Sequence, residues 1–123
     1  MVLVDSSVWI AHLREGNSAM ADLLMKELVL MHPFIRGELA CGNLKDRITL
    51  LSDLSTLPQA HRASDAEVMH LIDARKLWGR GLGWIDAHLL AAALVSRCRF
   101  WTLDKRLRTA AADLELSFEP AGR

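Results

Sequence analysis

Val2-Leu3-Val4-Asp5-Ser6-Ser7 is the stretch on which the reading of the fold turns. Three apolar residues, two of them β-branched, end abruptly in an acid and two hydroxyls. A helical pattern then starts at Val8-Trp9-Ile10. A short, continuous apolar run of this kind suits a strand covered on both faces, as in a parallel sheet flanked by helices. Ser6 or Ser7 can cap the helix that follows. Asp5 then stands at the carboxyl end of the strand, where open α/β sheets place their ligands.

Further along the chain, Phe100-Trp101-Thr102-Leu103 repeats the pattern and ends in a second acid, Asp104, before a helix reaching about Leu114. Val29-Leu30-Met31 and Leu54-Ser55-Thr56-Leu57-Pro58 read as further short strands, and Leu116-Ser117-Phe118 as a last edge strand. Helices fill the intervals. Asn17-Ser18 caps one bearing Met20, Leu23, Leu24 and Leu28. Pro33 suits the first turn of another, from Phe34 to about Asn43, and Asp46 to Leu54 forms the next. Ser64-Asp65-Ala66-Glu67 is a capping box for a helix ending at Gly79. Gly79-Arg80-Gly81-Leu82-Gly83 reads as a flexible connector, and a strongly apolar helix spans about Ile85 to Ser96. Strands alternating with helices predict an α/β fold, a three-layer α/β/α sandwich with a mostly parallel central sheet. With no repeat, linker or low-complexity segment, residues 1–123 are expected to form a single domain.

The formal net charge is zero and 24% of residues are charged. No global field draws in a polyanion, so a nucleic-acid site has to be a local patch. Cys41 and Cys98 lack metal-ligand spacing and read as buried, reduced thiols. The apolar start carries an acid and no basic segment, which argues against a signal peptide. No apolar run approaches the ~20 residues that cross a bilayer. A cytoplasmic protein without membrane contact is expected.

Most of the acids need no special account, but four do. Asp5 and Asp104 each close an apolar strand and open a helix; in neighbouring parallel strands both emerge at one sheet edge. Helix capping is the plainer explanation of either alone. Glu38 falls on a helical wheel among Phe34, Ile35, Cys41 and Gly42, which puts a carboxylate in the packing stripe. Asp86 shares a face with Leu90, Ala93 and Leu94; a salt bridge to Arg97 is the simpler explanation there. Buried carboxylates need a cation, a metal or a raised pKa. Together the four look like an oxygen-only site for a hard cation, Mg²⁺ or Mn²⁺. The five histidines show no ligand spacing and read as ordinary surface or core residues. Ser7 and Thr102 stand where they can orient the carboxylates. Such a site suits phosphodiester cleavage.

Four segments resemble the PIN domain, specifically the VapC toxins of bacterial toxin–antitoxin pairs. They are Val2 to Ile10, Arg36-Gly37-Glu38-Leu39, Trp84-Ile85-Asp86-Ala87-His88-Leu89-Leu90-Ala91, and Phe100 to Leu107, in the family's order. The resemblance carries the family's acidic quartet onto Asp5, Glu38, Asp86 and Asp104, and its two hydroxyls onto Ser7 and Thr102. It implies a metal-dependent endoribonuclease that forms a homodimer and is neutralised by a VapB-like antitoxin. Asp5, Asp86 and Asp104 are the expected metal ligands, and Glu38 a further ligand or the residue that orients water.

Arg80, Lys105 and Arg106 are candidate RNA contacts, although each alone reads better as an ordinary solvated helix residue. Two other functions fit parts of the pattern. One is an RNA- or protein-binding module whose acids only stabilise the fold. The other is a receiver-like phosphotransfer domain, which wants an acid where Leu57-Pro58-Gln59 has none. Trp9, Met20 and Met25 are either partner surface or plain core.

Overall fold

Three short strands, β1 (Val2–Val4), β2 (Val29–Leu30) and β3 (Arg99–Trp101), form a parallel sheet in the order β2-β1-β3. Val2 is in register with Val29 on one side and Arg99 on the other. Single parallel bridges, Met31 to Gln59 and Phe100 to Ser117, extend the sheet by one pairing at each edge. The structure is a computed structural model and describes residues 1–120, so the last three residues of the expected domain lie outside the described residues.

Seven helices connect these strands among the described residues: α1 (Ser6–Glu15), α2 (Ser18–Met25), α3 (Pro33–Ala40), α4 (Arg47–Ser55), α5 (Asp65–Ala74), α6 (Trp84–Ser96) and α7 (Lys105–Asp113). From β1 the chain steps outward to β2 and then to Gln59. It next returns across the sheet to β3 and steps on to Ser117. Right-handed crossovers assign α1 to α4 to one face and α5 to α7 to the other. The packing of α3 on α1 and α4, and of α5 on α6, agrees. The direction of stepping reverses between β1 and β3, so the topological switch point lies between Val4 and Trp101. None of the helices is long and apolar enough to cross a membrane.

The core explains which helix signals were strong. Residues Ala87 to Ala93 of α6 are all buried, which is why its sequence is apolar on every side. Leu3, Val4, Met31, Ile35, Leu90, Phe100 and Leu107 are fully enclosed between it and the sheet's other neighbours. Trp9 and Met20 belong to this core, whereas Met25 is exposed. Cys98 is buried as expected; Cys41 is exposed, because α3 stops at Ala40 and leaves it at the cap.

Several boundaries differ from the sequence reading. Leu54 to Pro58 is not a strand: α4 runs on to Ser55 and a turn follows, leaving only the bridge at Gln59. The α5 helix ends at Ala74 rather than Gly79, because Lys76 takes a left-handed conformation and the Leu77 N–H bonds back to Ile72. The edge expected at Leu116 to Phe118 is one bridge flanked by two hydrogen bonds to Phe100. The glycine connector is fastened rather than loose. Arg80 pairs with Asp113 at 2.7 Å, and Arg106 lies so close over Gly81 that a Cβ there would meet its guanidinium at 2.7 Å.

Two histidines are core residues. His32 caps α3 by accepting the Phe34 N–H on Nδ1, so its proton resides on Nε2. Burial, assisted by the neighbouring His88 and Arg62, pushes its pKa down to about 4. The unfolded chain therefore takes a proton that the folded chain refuses, and stability rises with pH across this window. The contribution is complete above pH 6.5, the ordinary value, and lost below about 4. His32→Asn keeps a capping acceptor but removes the titration. Between pH 7 and 4.5 the native protein is expected to lose roughly 2–3 kcal/mol more stability than this variant. Urea denaturation of both proteins at the two pH values measures the difference; equal losses would refute it.

Candidate active site

The β1–β3 pairing runs on past the strands, because the Asp5 N–H donates to the Trp101 carbonyl at 2.9 Å. That contact brings the two strand-end acids to the same edge. Asp5 is only 6% exposed. It precedes α1, yet its side chain makes no capping bond, so capping does not account for it. Its Oδ2 instead accepts hydrogen bonds from Ser7 Oγ at 2.8 Å and Thr102 Oγ1 at 2.7 Å. Each hydroxyl has one proton, and both are committed to Asp5. The 3.3 Å separation of Ser7 and Thr102 is therefore proximity rather than a third bond. As acceptors, Ser7 takes the Leu103 N–H and Thr102 the Asp104 N–H. Five polar groups thus lock the end of β1 to the turn that presents Asp104.

Asp104 does cap α7, taking the Leu107 N–H on Oδ1. Asp86 lies in the first turn of α6 and takes the Gly83 N–H on Oδ2 at 3.0 Å. Each of the three aspartates thus anchors one oxygen to its own chain. Among the described residues, the second oxygen makes no hydrogen bond. Glu38 projects from α3, on the edge of its buried stripe rather than within it. Ile35 and Leu39 are buried, Glu38 is exposed, and Cys41 and Gly42 lie beyond the helix that the wheel assumed. Asp86 is half-buried, as its apolar neighbours suggested.

The electrostatics join these four positions. Partial burial lifts the Glu38 carboxyl above its ordinary value; the charges of Asp5 and Asp86 add to this, while the Ser6 hydroxyl opposes it. Asp86 is lifted by burial and by the charges of Asp5 and Asp104, against the Gly83 N–H. None of the four is in an ion pair among the described residues, so the Arg97 explanation fails. Arg97 instead caps α6 in a left-handed conformation.

No three of these side chains are drawn into a closed ligand set among the described residues. Like charges hold one another apart. Chelation by three of them requires the free oxygens to turn inward. The donor set is all oxygen, negatively charged and partly desolvated, which fits a hard divalent cation rather than zinc.

Around this centre, Arg80, Lys105, Arg106 and Thr109 line a cleft of about 300 Å³ on the α7 flank. Asp113 already neutralises part of the Arg80 charge. The Gly83 N–H was not anticipated. Its signal was present in the sequence, since an acid three residues after a helix's N-cap can reach back to the cap N–H.

An α/β domain with acids gathered at the switch point of a parallel sheet has the layout of a hydrolase of phosphate esters. The PIN domain model matches residues 2–113, and the chain belongs to that family. It is 46% identical to Ribonuclease VapC32 of two Mycobacterium tuberculosis strains, over 92% of each chain. In fold it matches a chain in the structure of VapBC-1 from nontypeable Haemophilus influenzae, with a TM-score of 0.71 over 98% of both chains and 15% identity. The last likeness establishes the fold.

The raised carboxyls carry a sign that can be checked. A carboxyl lifted above its ordinary value favours the folded state while protonated and penalises it once ionised. For Glu38 the penalty sets in as pH rises past 4.5. Glu38→Gln is expected to raise the Tm of metal-free protein at pH 7 and to leave it unchanged near pH 3.5–4, below the ordinary value. Calorimetry at the two pH values distinguishes this from a variant that is merely better packed, which gains at both.

Proposed function

We propose that this chain is a Mg²⁺- or Mn²⁺-dependent endoribonuclease, the toxin of a toxin–antitoxin pair, in which Asp5, Glu38, Asp86 and Asp104 form the active site. The observation that supports the reading is the charge coupling of Glu38 with Asp5 and Asp86, and of Asp86 with Asp5 and Asp104, with no cation paired to any of the four among the described residues. The 46% identity to a ribonuclease supports the reaction class.

Asp5, Asp86 and Asp104 would hold the ion through their free oxygens. A bound divalent cation supplies positive charge to the phosphodiester and acidifies water. Ser7 and Thr102 fix the Asp5 carboxylate in one orientation, and Gly83 does the same for Asp86. Glu38, not assigned to the ion, would orient the attacking water, and its carboxyl, lifted chiefly by partial burial, can take a proton from it. Arg80, Lys105 and Arg106 bind backbone phosphates on the α7 flank without reading sequence. The partner we assign is a VapB-like antitoxin, with the toxin itself a homodimer. The solved VapBC-1 complex supports a fold able to take such a partner.

Asp5→Asn is expected to keep the fold and reduce RNA cleavage by about 100-fold or more, consistent with removing one charged group from a preorganised site. Chelation should abolish cleavage by the native protein. Mn²⁺ at a hundredfold over its Kd should add about 2.7 kcal/mol of stability. Cleavage assays, together with thermal unfolding in EDTA and in Mn²⁺, test all three. A binding module would keep its RNA affinity in EDTA and show no stabilisation by metal.

A further inference from the structure

The chain has four tryptophans, and the structure treats them in two ways. Trp9 and Trp101 are buried, but Trp78 is 61% exposed and Trp84 43% exposed. These outer two flank the glycine loop 79–83 and line one groove of about 270 Å³ with Ile72, Leu77, Leu82 and Ala87. The volume is below the ~300–1,000 Å³ of ordinary small-molecule pockets, which suits a single planar ring system. Among the described residues, no charged side chain lines the groove. Its occupant is therefore apolar or neutral on its faces.

Three features separate this groove from a chance apolar patch. The Trp84 ring is set before any ligand arrives, because His88 packs against it edge-on, at 4.8 Å between centroids and 86° between planes. The loop itself is held by the Arg80–Asp113 pair and by Arg106 over Gly81. Gly83 lines the groove and also donates its N–H to Asp86, so groove and acid site share a residue. On the loop's other flank stand Arg80, Lys105 and Arg106. An uncharged aromatic slot beside a cationic cleft matches the two halves of a nucleotide, a base that stacks and a phosphate that pairs with cations.

We propose that the Trp78–Trp84 groove is a subsite that stacks one splayed-out base of the RNA strand close to the scissile phosphate. The inference rests on the endoribonuclease reading above and adds a base-binding subsite to it. Trp84 and Trp78 are positioning residues here, since they hold the strand and do not touch the reacting atoms.

The test uses the full chain and a single-stranded oligoribonucleotide that it cleaves, together with copies made abasic at one nucleotide at a time. One abasic position near the cut should raise KM about tenfold, as loss of a stacked base does. Trp78→Ala should raise KM for the intact strand by a similar factor, with kcat within about twofold. It should add little on the abasic strand, and Trp78→Phe should recover most of the loss. Trp84→Ala should act in the same direction, judged only if its thermal unfolding matches the native protein. Additive losses, or KM unchanged in both alanine variants, would overturn the inference. So would unchanged KM with altered oligomeric mass, which would make the groove a protein interface. If the native chain cleaves no RNA at all, the nuclease reading itself fails, and this inference with it.

Discussion

A buried carboxylate at the end of β1 sets the terms for everything around it. Among the described residues, Asp5 is enclosed without a paired cation and is satisfied by two hydroxyl donors. Hydrogen bonds to a charged group are each worth about 1.5–3 kcal/mol, whereas stripping a carboxylate of water costs more than two of them return. The fold tolerates this because the same hydroxyls accept backbone N–H groups of the turn after β3. Ser7 and Thr102 thus serve the strand junction and the acid at once.

From that junction the rest of the site follows by topology. The chain leaves β1 toward one edge and leaves β3 toward the other, so the helices on the two faces begin near the same crevice. One face contributes α3 with Glu38 and the other α6 with Asp86. The glycine loop before α6 is clamped to α7, which ties the position of Asp86, through Gly83, to the helix that Asp104 opens. Gly81 is needed there for its backbone. Its backbone takes a positive φ of 79°, and the Arg106 side chain occupies the space a Cβ would fill.

Much of this was legible in the sequence, for reasons that can be stated. Apolar strands followed by acids mark a parallel sheet and its carboxyl edge; β1 sits as its residues imply, whereas β3 spans Arg99–Trp101 and a bend at Leu103 separates it from Asp104. Capping chemistry is local, so Asn17 and the Ser64–Glu67 box occur as written. The misreadings fall where a local signal competes with a tertiary one. Leu54 to Pro58 has strand composition, but α4 continues until its last buried residue, Leu54, has packed. The helical wheel placed Glu38 inside the packing stripe because it counted residues that lie past the end of α3. Its carboxyl is lifted first by partial burial in the crevice and then by the charges of Asp5 and Asp86, relations no single helix encodes. The glycines of the connector suggested freedom, while the partners that fasten it, Arg106 and Asp113, lie more than twenty residues away in sequence.

Asp5, Asp86 and Asp104, from three separate segments, are proposed to share one divalent cation that Glu38 faces. Diffraction at the manganese absorption edge from crystals grown with Mn²⁺ tests this most directly. The account predicts an anomalous peak bonded to the free carboxylate oxygens of Asp5, Asp86 and Asp104, with Glu38 facing it. Fully loaded crystals in which manganese sits elsewhere, or nowhere, would contradict it.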